Sequence, residues 1–302
     1  MIRELKEAKS DKQEFKKKMI SGRIFNIQHF SNDDGPGIRT TVFFQGCNLR
    51  CPWCHNPESQ SFHTEIMHFP QKCIGCRRCI ATCPNQELFT EHCKHCGKCA
   101  ESCPADALVS YGKEMTVEEV VAECVQDMDL YEMSGGGVTV SGGEPLLQIE
   151  FLEAVLKALK VEGIHTAIET AGCYDGKRLK RILPYTDLVF MDLKCLDAQK
   201  HAEVIGASNE QIINNIYLTA QSDTEVVIRT PVICGFNEME LPDMAKFIKQ
   251  LPAHVKAELL PYHEICSGKY DALHRKFNVG DFRVPTQKEM DSFQLLYGER
   301  LV

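Results

Sequence analysis

Apolar positions recur along most of this 302-residue chain in strand-length blocks separated by helical patterns. Residues 23–30 and 40–45 are strand candidates, the second leading directly into a cysteine at Cys47. From Thr116 onward the alternation becomes regular. Thr116 followed by Glu119 forms a capping box ahead of Val120, Val121, Cys124, Val125 and Met128, predicting a helix with one buried face. Strands are predicted at 137–140, 166–169, 187–192, 225–230 and 257–260, with helical patterns such as 150–159 and 241–251 between them. Strand and helix in alternation imply right-handed crossovers and an α/β fold with a parallel sheet, open or curled into a full or partial barrel. In such folds functional groups gather at the C-terminal strand ends. Gly142, Gly143 and Glu144, then Glu169, then Asp192 with Lys194 stand at three of those ends.

Residues 70–109 break the pattern. They are dense in Cys and Pro, with too few apolar positions for a core of their own, so metal is expected to hold them together. The predicted organisation is a basic N-terminal extension at 1–21, a main domain at 22–69 and 110–302, and an insert at 70–109. Hydrophobic residues at 43% and charged residues at 25% exclude a disordered chain. The net charge of -8 is uneven: residues 1–20 carry seven Lys/Arg and four Asp/Glu, leaving -11 for the rest, a poor surface for nucleic acid. The Lys-rich opening is read as a solvated tail. No apolar run reaches the roughly 18 residues of a membrane span, and the basic start lacks the apolar region of an export signal. A cytoplasmic protein without membrane contacts is expected.

Sixteen cysteines in such a chain point to metal or redox chemistry rather than disulfides. Cys124, Cys173, Cys195, Cys234 and Cys266 are scattered singly and read as buried small hydrophobes. The other eleven form three groups. Cys47, Cys51 and Cys54 have the spacing C-x3-C-x2-C, suited to holding three irons of a cubane cluster and leaving the fourth open to a substrate. A haem-attachment motif (Cys51 to His55) and a zinc knuckle compete with this reading. Cys73, Cys76, Cys79 and Cys83, then Cys93, Cys96, Cys99 and Cys103, each follow C-x2-C-x2-C-x3-C-P, the two-cluster bacterial ferredoxin pattern. In that pattern the fourth cysteine of each run serves the other cluster, pairing Cys103 with the first three and Cys83 with the second three.

The three-cysteine loop resembles that of the radical S-adenosylmethionine superfamily. Asp34-Gly35-Pro36-Gly37-Ile38-Arg39, the run GCNLRCPWCHNPE at 46–58, SGGGVTVSGGEP at 134–145, Asp192-Leu193-Lys194 and LLPYH at 259–263 are together similar to the glycyl-radical-enzyme activating proteins. The resemblance implies a partial (β/α) TIM-like barrel with parallel strands, plus a small inserted bacterial-ferredoxin-like domain. It implies three 4Fe-4S clusters and S-adenosylmethionine. It carries cofactor contacts onto Trp53, Cys54 and His55, onto Gly142, Gly143 and Glu144, and onto Asp192, Leu193, Lys194, Arg229 and His263. Glu144 is expected to accept hydrogen bonds from the cofactor's ammonium, with the two glycines letting the backbone approach it. A monovalent cation is expected at Glu169, Thr170 and Asp192, and contacts to the partner at Asp34, Lys269 and Tyr270. Cys266 departs from the family pattern, replacing a common glycine and putting that local turn in question.

The implied activity is reductive cleavage of S-adenosylmethionine to methionine and a 5'-deoxyadenosyl radical, which takes hydrogen from a glycine α-carbon of a partner glycyl radical enzyme. A flavodoxin or ferredoxin would supply the electron, with no acid or base residue required. A radical enzyme acting on another peptide or small molecule shares the cluster loop, but is not expected to carry the 34–39 and 135–145 segments. A ferredoxin-type electron carrier accounts for the insert but not for the rest of the chain.

Overall fold

The computed structural model of the chain describes residues 20–302, so nearly all of the predicted N-terminal extension lies outside the described residues. Among the described residues, ten strands form two sheets: β1 (Ser21–Ser31), β2 (Arg39–Phe44), β3 (Glu65–His68), β4 (Leu108–Tyr111), β5 (Lys113–Thr116), β6 (Gly137–Gly142), β7 (Thr166–Thr170), β8 (Leu188–Asp192), β9 (Glu225–Val232) and β10 (Lys256–Pro261). The larger sheet has the order β10-β9-β8-β7-β6-β2-β1-β5. From β10 to β2 every pair is parallel. Helices Ile149–Val161, Gly176–Ile182, Glu210–Ala220 and Leu241–Gln250 lie in the crossovers between these strands.

Every strand predicted from the pattern is present, most extending a residue or two further. The sheet is parallel as expected except at one end, where β1 pairs antiparallel with both β2 and β5. Only residues 32–38 join β1 to β2, and a parallel return needs a crossover of a dozen residues or more. The capping box of Thr116 and Glu119 opens helix Val117–Cys124, with Val120 and Cys124 buried. The sheet is open rather than closed, and at its far edge the chain end covers β10 through a bridge between Ala257 and Leu301.

Period-two alternation gives the parallel strands two different faces. Val140, Ile168, Val189, Met191, Val226 and Ile228 point outward into the main core shared with the helices. Ala167, Leu188, Phe190 and Val227 form a separate small core on the inner face. Further along the same strands the inner face turns polar at Ser141, Glu169, Asp192 and Arg229, near the C-terminal strand ends. The insert leaves the body through the antiparallel pair β3 and β4, which registers His68 with Leu108. No helix among the described residues is long and apolar enough to cross a membrane.

Candidate active site

Cys47, Cys51 and Cys54 follow β2 on a loop that the chain secures from several sides. Gln45, buried at the strand end, donates through Nε2 to the carbonyls of Glu58 (2.8 Å), Ser61 (2.7 Å) and His63 (3.1 Å), closing the loop on itself. Trp53 is buried, its ring 4.8 Å from that of Phe236 and 5.8 Å from that of Phe282. The three thiols are half-buried. Burial pushes Cys47 and Cys54 up to about 12 and raises Cys51 as well, while Lys194 pulls Cys51 the other way. These thiols therefore need added positive charge to become thiolate ligands. No three His, Cys, Asp or Glu side chains among the described residues converge tightly enough for a single metal ion.

The glycine-rich turn after β6 lies against this loop. Gly143 N donates to Phe44 O at 2.8 Å and Glu144 N to Gly46 O at 2.9 Å. A Cβ at Gly143 would stand 2.3 Å from Gly46 O, and one at Gly142 2.4 Å from Phe44 N and O. The close approach that these glycines permit is thus to the chain's own cysteine strand. Glu144, expected to receive a ligand ammonium, follows directly on this turn. Its carboxylate is fully buried and accepts from Thr170 Oγ1 (2.9 Å to each oxygen), Ala171 N (3.0 Å) and Leu146 N (3.2 Å), tying the end of β6 to the end of β7.

Desolvation raises Glu144 from 4.5 to about 7 against the pull of those hydrogen bonds. The folded chain then binds more protons than the unfolded one between about 4.5 and 7, so this residue's contribution to stability is full below 4.5 and is lost as pH rises through about 7. The loss expected across that window is on the order of 3 kcal/mol. Denaturant midpoints measured from pH 4.5 to 8 should show this decline, and Glu144→Gln should flatten it. An unchanged slope in the variant would remove Glu144 as its source.

Asp192 ends β8, Lys194 follows it, and Arg229 lies beside Asp192 within β9; each is held by charged neighbours. Lys194 is buried with Nζ 2.6 Å from Asp192 Oδ2, while Leu193 turns away into the main core. Arg229 is 7% exposed. It pairs with Glu258 Oε2 at 2.6 Å and with Glu169, reaches Asp33 O at 3.2 Å, and lies 3.6 Å above the Phe190 ring centre. Glu169 in addition accepts from Ser141 Oγ at 2.5 Å. Of the residues expected to hold a cation, Thr170 turns its hydroxyl to Glu144 on the other side of the sheet, and the Glu169 carboxylate pairs with Arg229.

His55 and His263 meet across the loop, their ring centres 4.2 Å apart, and His263 Nδ1 is buried without a partner. The three expected partner contacts are committed internally. Asp34 accepts from Thr41 Oγ1 at 2.5 Å and from Ser31 Oγ. Lys269 donates to His55 O, Asn56 Oδ1 and Glu58 Oε1 at 2.9, 3.0 and 2.7 Å. Tyr270 is buried, its hydroxyl 3.1 Å from Cys54 O and 3.3 Å from Pro52 O. Cys266 causes no strain in its turn, because its φ of -73° is open to any residue. It is buried, as are Cys124, Cys173, Cys195 and Cys234.

Between residues 71 and 106 only Gly97 is buried. Cys83, Cys93, Cys96 and Cys99 nevertheless share a cavity of about 200 Å³, closed on one side by Leu273 and His274. The two cysteine runs also repeat one backbone shape, with positive φ at Gly75 and His95, at Arg77 and Gly97, and at Gln86 and Asp106. Each pair lies twenty positions apart, matching cysteine for cysteine.

Sequence reasoning missed Gln45, Glu58, Tyr174 and Asn237. Asn237 donates to Lys194 O (2.8 Å) and Pro231 O (2.7 Å), fixing the loop after β8, and Tyr174 reaches Thr170 Oγ1 at 3.1 Å.

A family model of the Radical SAM superfamily matches residues 41–248. The chain is 36% identical over 289 residues to the trans-4-hydroxy-L-proline dehydratase activating enzyme of Clostridioides difficile, covering 91% of this chain and 95% of that protein. It is 42% identical over 272 residues to the benzylsuccinate synthase activating enzyme of Thauera aromatica, covering 83% and 82%. In fold it is similar to a radical SAM methyltransferase from Sphaerobacter thermophilus, with a TM-score of 0.52 and 12% identity, covering 92% of this chain and 76% of that one. With an α/β fold around a mostly parallel sheet and relatives of this kind along nearly its whole length, the chain belongs to the radical SAM superfamily and, within it, to the glycyl-radical-enzyme activating enzymes.

Proposed function

We propose that Cys47, Cys51 and Cys54 hold a 4Fe-4S cluster with one iron free of protein ligands, and that S-adenosylmethionine binds there. The observation that carries this reading is the grouping of three half-buried thiols at the C-terminal edge of a parallel sheet, with a buried, unpartnered nitrogen of His263 on the same side. When bound and reduced, the cluster supplies the electron that cleaves S-adenosylmethionine to methionine and a 5'-deoxyadenosyl radical, which takes hydrogen from a glycine α-carbon.

The residues of the chain orient and enclose. The backbone around Trp53 and His55 and the turn at Gly142, Gly143 and Glu144 form the cofactor's bed, with Glu144 acting from behind by holding the turn. Asp192, Lys194 and His263 face the cofactor, and Arg229 holds the wall through Glu169 and Glu258. The apolar inner core of Ala167, Leu188, Phe190 and Val227 keeps water from the floor of the site.

The insert, in this reading, holds two further 4Fe-4S clusters, one on Cys73, Cys76, Cys79 and Cys103 and one on Cys93, Cys96, Cys99 and Cys83. A segment with one buried residue needs metal to be ordered, its repeated positive-φ backbone suits two equivalent cluster loops, and its cavity gathers the second of these crossed sets. A low-potential flavodoxin or ferredoxin supplies electrons. The substrate is a glycyl radical enzyme in the cytoplasm; the relatives are named as activating a dehydratase and a synthase. It meets the exposed backbone of loop 32–38 rather than the Asp34 carboxylate, which is taken up internally.

The test is to mix the anaerobic, reduced protein and S-adenosylmethionine with the glycyl radical enzyme encoded beside it. A glycyl radical doublet in the electron paramagnetic resonance spectrum is expected. A spectrum without it, alongside measurable 5'-deoxyadenosine, would overturn the choice of partner.

A further inference from the structure

Glu58 lies four residues past Cys54 and is 2% exposed. One of its carboxylate oxygens meets Lys269 Nζ at 2.7 Å and the other has no hydrogen-bond partner. A carboxylate so buried is costly unless a cation stands against it. The other cation of this patch, Arg275, donates to Pro57 O at 2.7 Å, but its charge is taken by Glu65 at 2.8 Å. Lys269 is therefore the counter-charge of Glu58. The same ammonium holds His55 O and Asn56 Oδ1, and the next residue, Tyr270, holds the carbonyls of Pro52 and Cys54. The short helix Ser267–Ala272 thus grips the cysteine loop along 52–58 from 211 positions away in the chain. The charge of Glu58 is among those felt at Cys54.

We propose that Lys269 and Glu58 are positioning residues for the radical chemistry: Lys269 fixes the carbonyls of the cysteine loop and cancels a buried negative charge that would otherwise oppose the arrival of an electron there. The proposal rests on the reading of Cys47, Cys51 and Cys54 as an iron-sulfur site. It makes the pair determinants of how readily that site is reduced, apart from any contact with S-adenosylmethionine or with a partner protein.

The experiment uses anaerobically reconstituted holoenzyme at one fixed alkaline pH. Samples are poised with dithionite, and the reduced signal of the Cys47, Cys51 and Cys54 cluster is followed by electron paramagnetic resonance. Lys269→Met should lower the ratio of reduced to oxidised cluster about tenfold at a fixed poise, about 59 mV for a one-electron couple. Lys269→Arg should stay near the parent protein. Adding Glu58→Gln to Lys269→Met should restore most of the ratio, because the charge left behind is removed; a purely architectural role predicts further loss instead. Glu58→Gln alone, which keeps the cation, should raise the ratio and covers the case in which Lys269→Met does not load iron. An unshifted ratio in both single variants, or an equal shift in Lys269→Met with and without Glu58→Gln, would overturn the proposal. Absence of any such signal in the parent protein would instead sink the cluster reading beneath it.

Discussion

Cys51→Ala is expected to reduce 5'-deoxyadenosine formation to the background of the enzyme-free mixture, a loss of at least about a thousandfold. Cys47, Cys51 and Cys54 are proposed as the whole ligand set of this cluster; the single cysteines of the body are buried, among them Cys173, whose carbonyl accepts from Asn48 Nδ2 at 2.7 Å. Two thiolates hold a cubane cluster poorly, and without the cluster the sulfonium receives no electron. Iron analysis separates this outcome from unfolding. On the proposal that the insert holds two further clusters, iron should fall by about one third, from about twelve atoms per chain toward about eight. A variant that keeps both its iron and its cleavage activity would remove Cys51 from the site.

Arg229→Met carries the second largest effect. The guanidinium is bracketed by Glu169 on β7 and Glu258 on β10 and lies over Phe190. Breaking a fully buried ion pair from one side costs about 3–5 kcal/mol. The Glu169 and Glu258 side chains keep 20% and 32% of their exposure, so about 2–3 kcal/mol is expected here. Denaturant unfolding of the variant should show a lowered midpoint with an unchanged slope. Arg229→Lys should recover only part of the loss, since an ammonium cannot bridge both carboxylates and also cover the ring. If the midpoint does not move while the KM for S-adenosylmethionine rises, Arg229 is a cofactor contact and not the brace described above.

The strand pattern was legible because each parallel strand is a short apolar block bounded by Gly, Pro or charge, and because Thr116 and Glu119 mark a helix start by local chemistry alone. The unusual residues at the C-terminal strand ends were legible for the same reason: Glu144, Asp192 and Lys194 interrupt apolar runs. Their partners were not legible. Nothing local to Glu144 says that its carboxylate turns inward to Thr170, and nothing near Lys269 says that it grips a loop 211 positions earlier. Both depend on which strand ends the fold brings together. The antiparallel end of the sheet was missed because periodicity reports strands but not their direction, which the short connection 32–38 decides. Likewise Gly142 and Gly143 marked a tight approach, expected toward the cofactor, and in the fold they lie against the backbone of Phe44 and Gly46.

The central claim is an iron at the Cys47, Cys51 and Cys54 loop that no side chain occupies. Its most direct test is the electron paramagnetic resonance spectrum of the reduced protein before and after S-adenosylmethionine is added, in a variant whose insert cysteines are replaced so that only one cluster contributes. The g-values are expected to move on addition, because an iron free of protein ligands would be open to S-adenosylmethionine. Unmoved g-values at saturating S-adenosylmethionine would contradict it, for they would mean that the fourth corner is already filled.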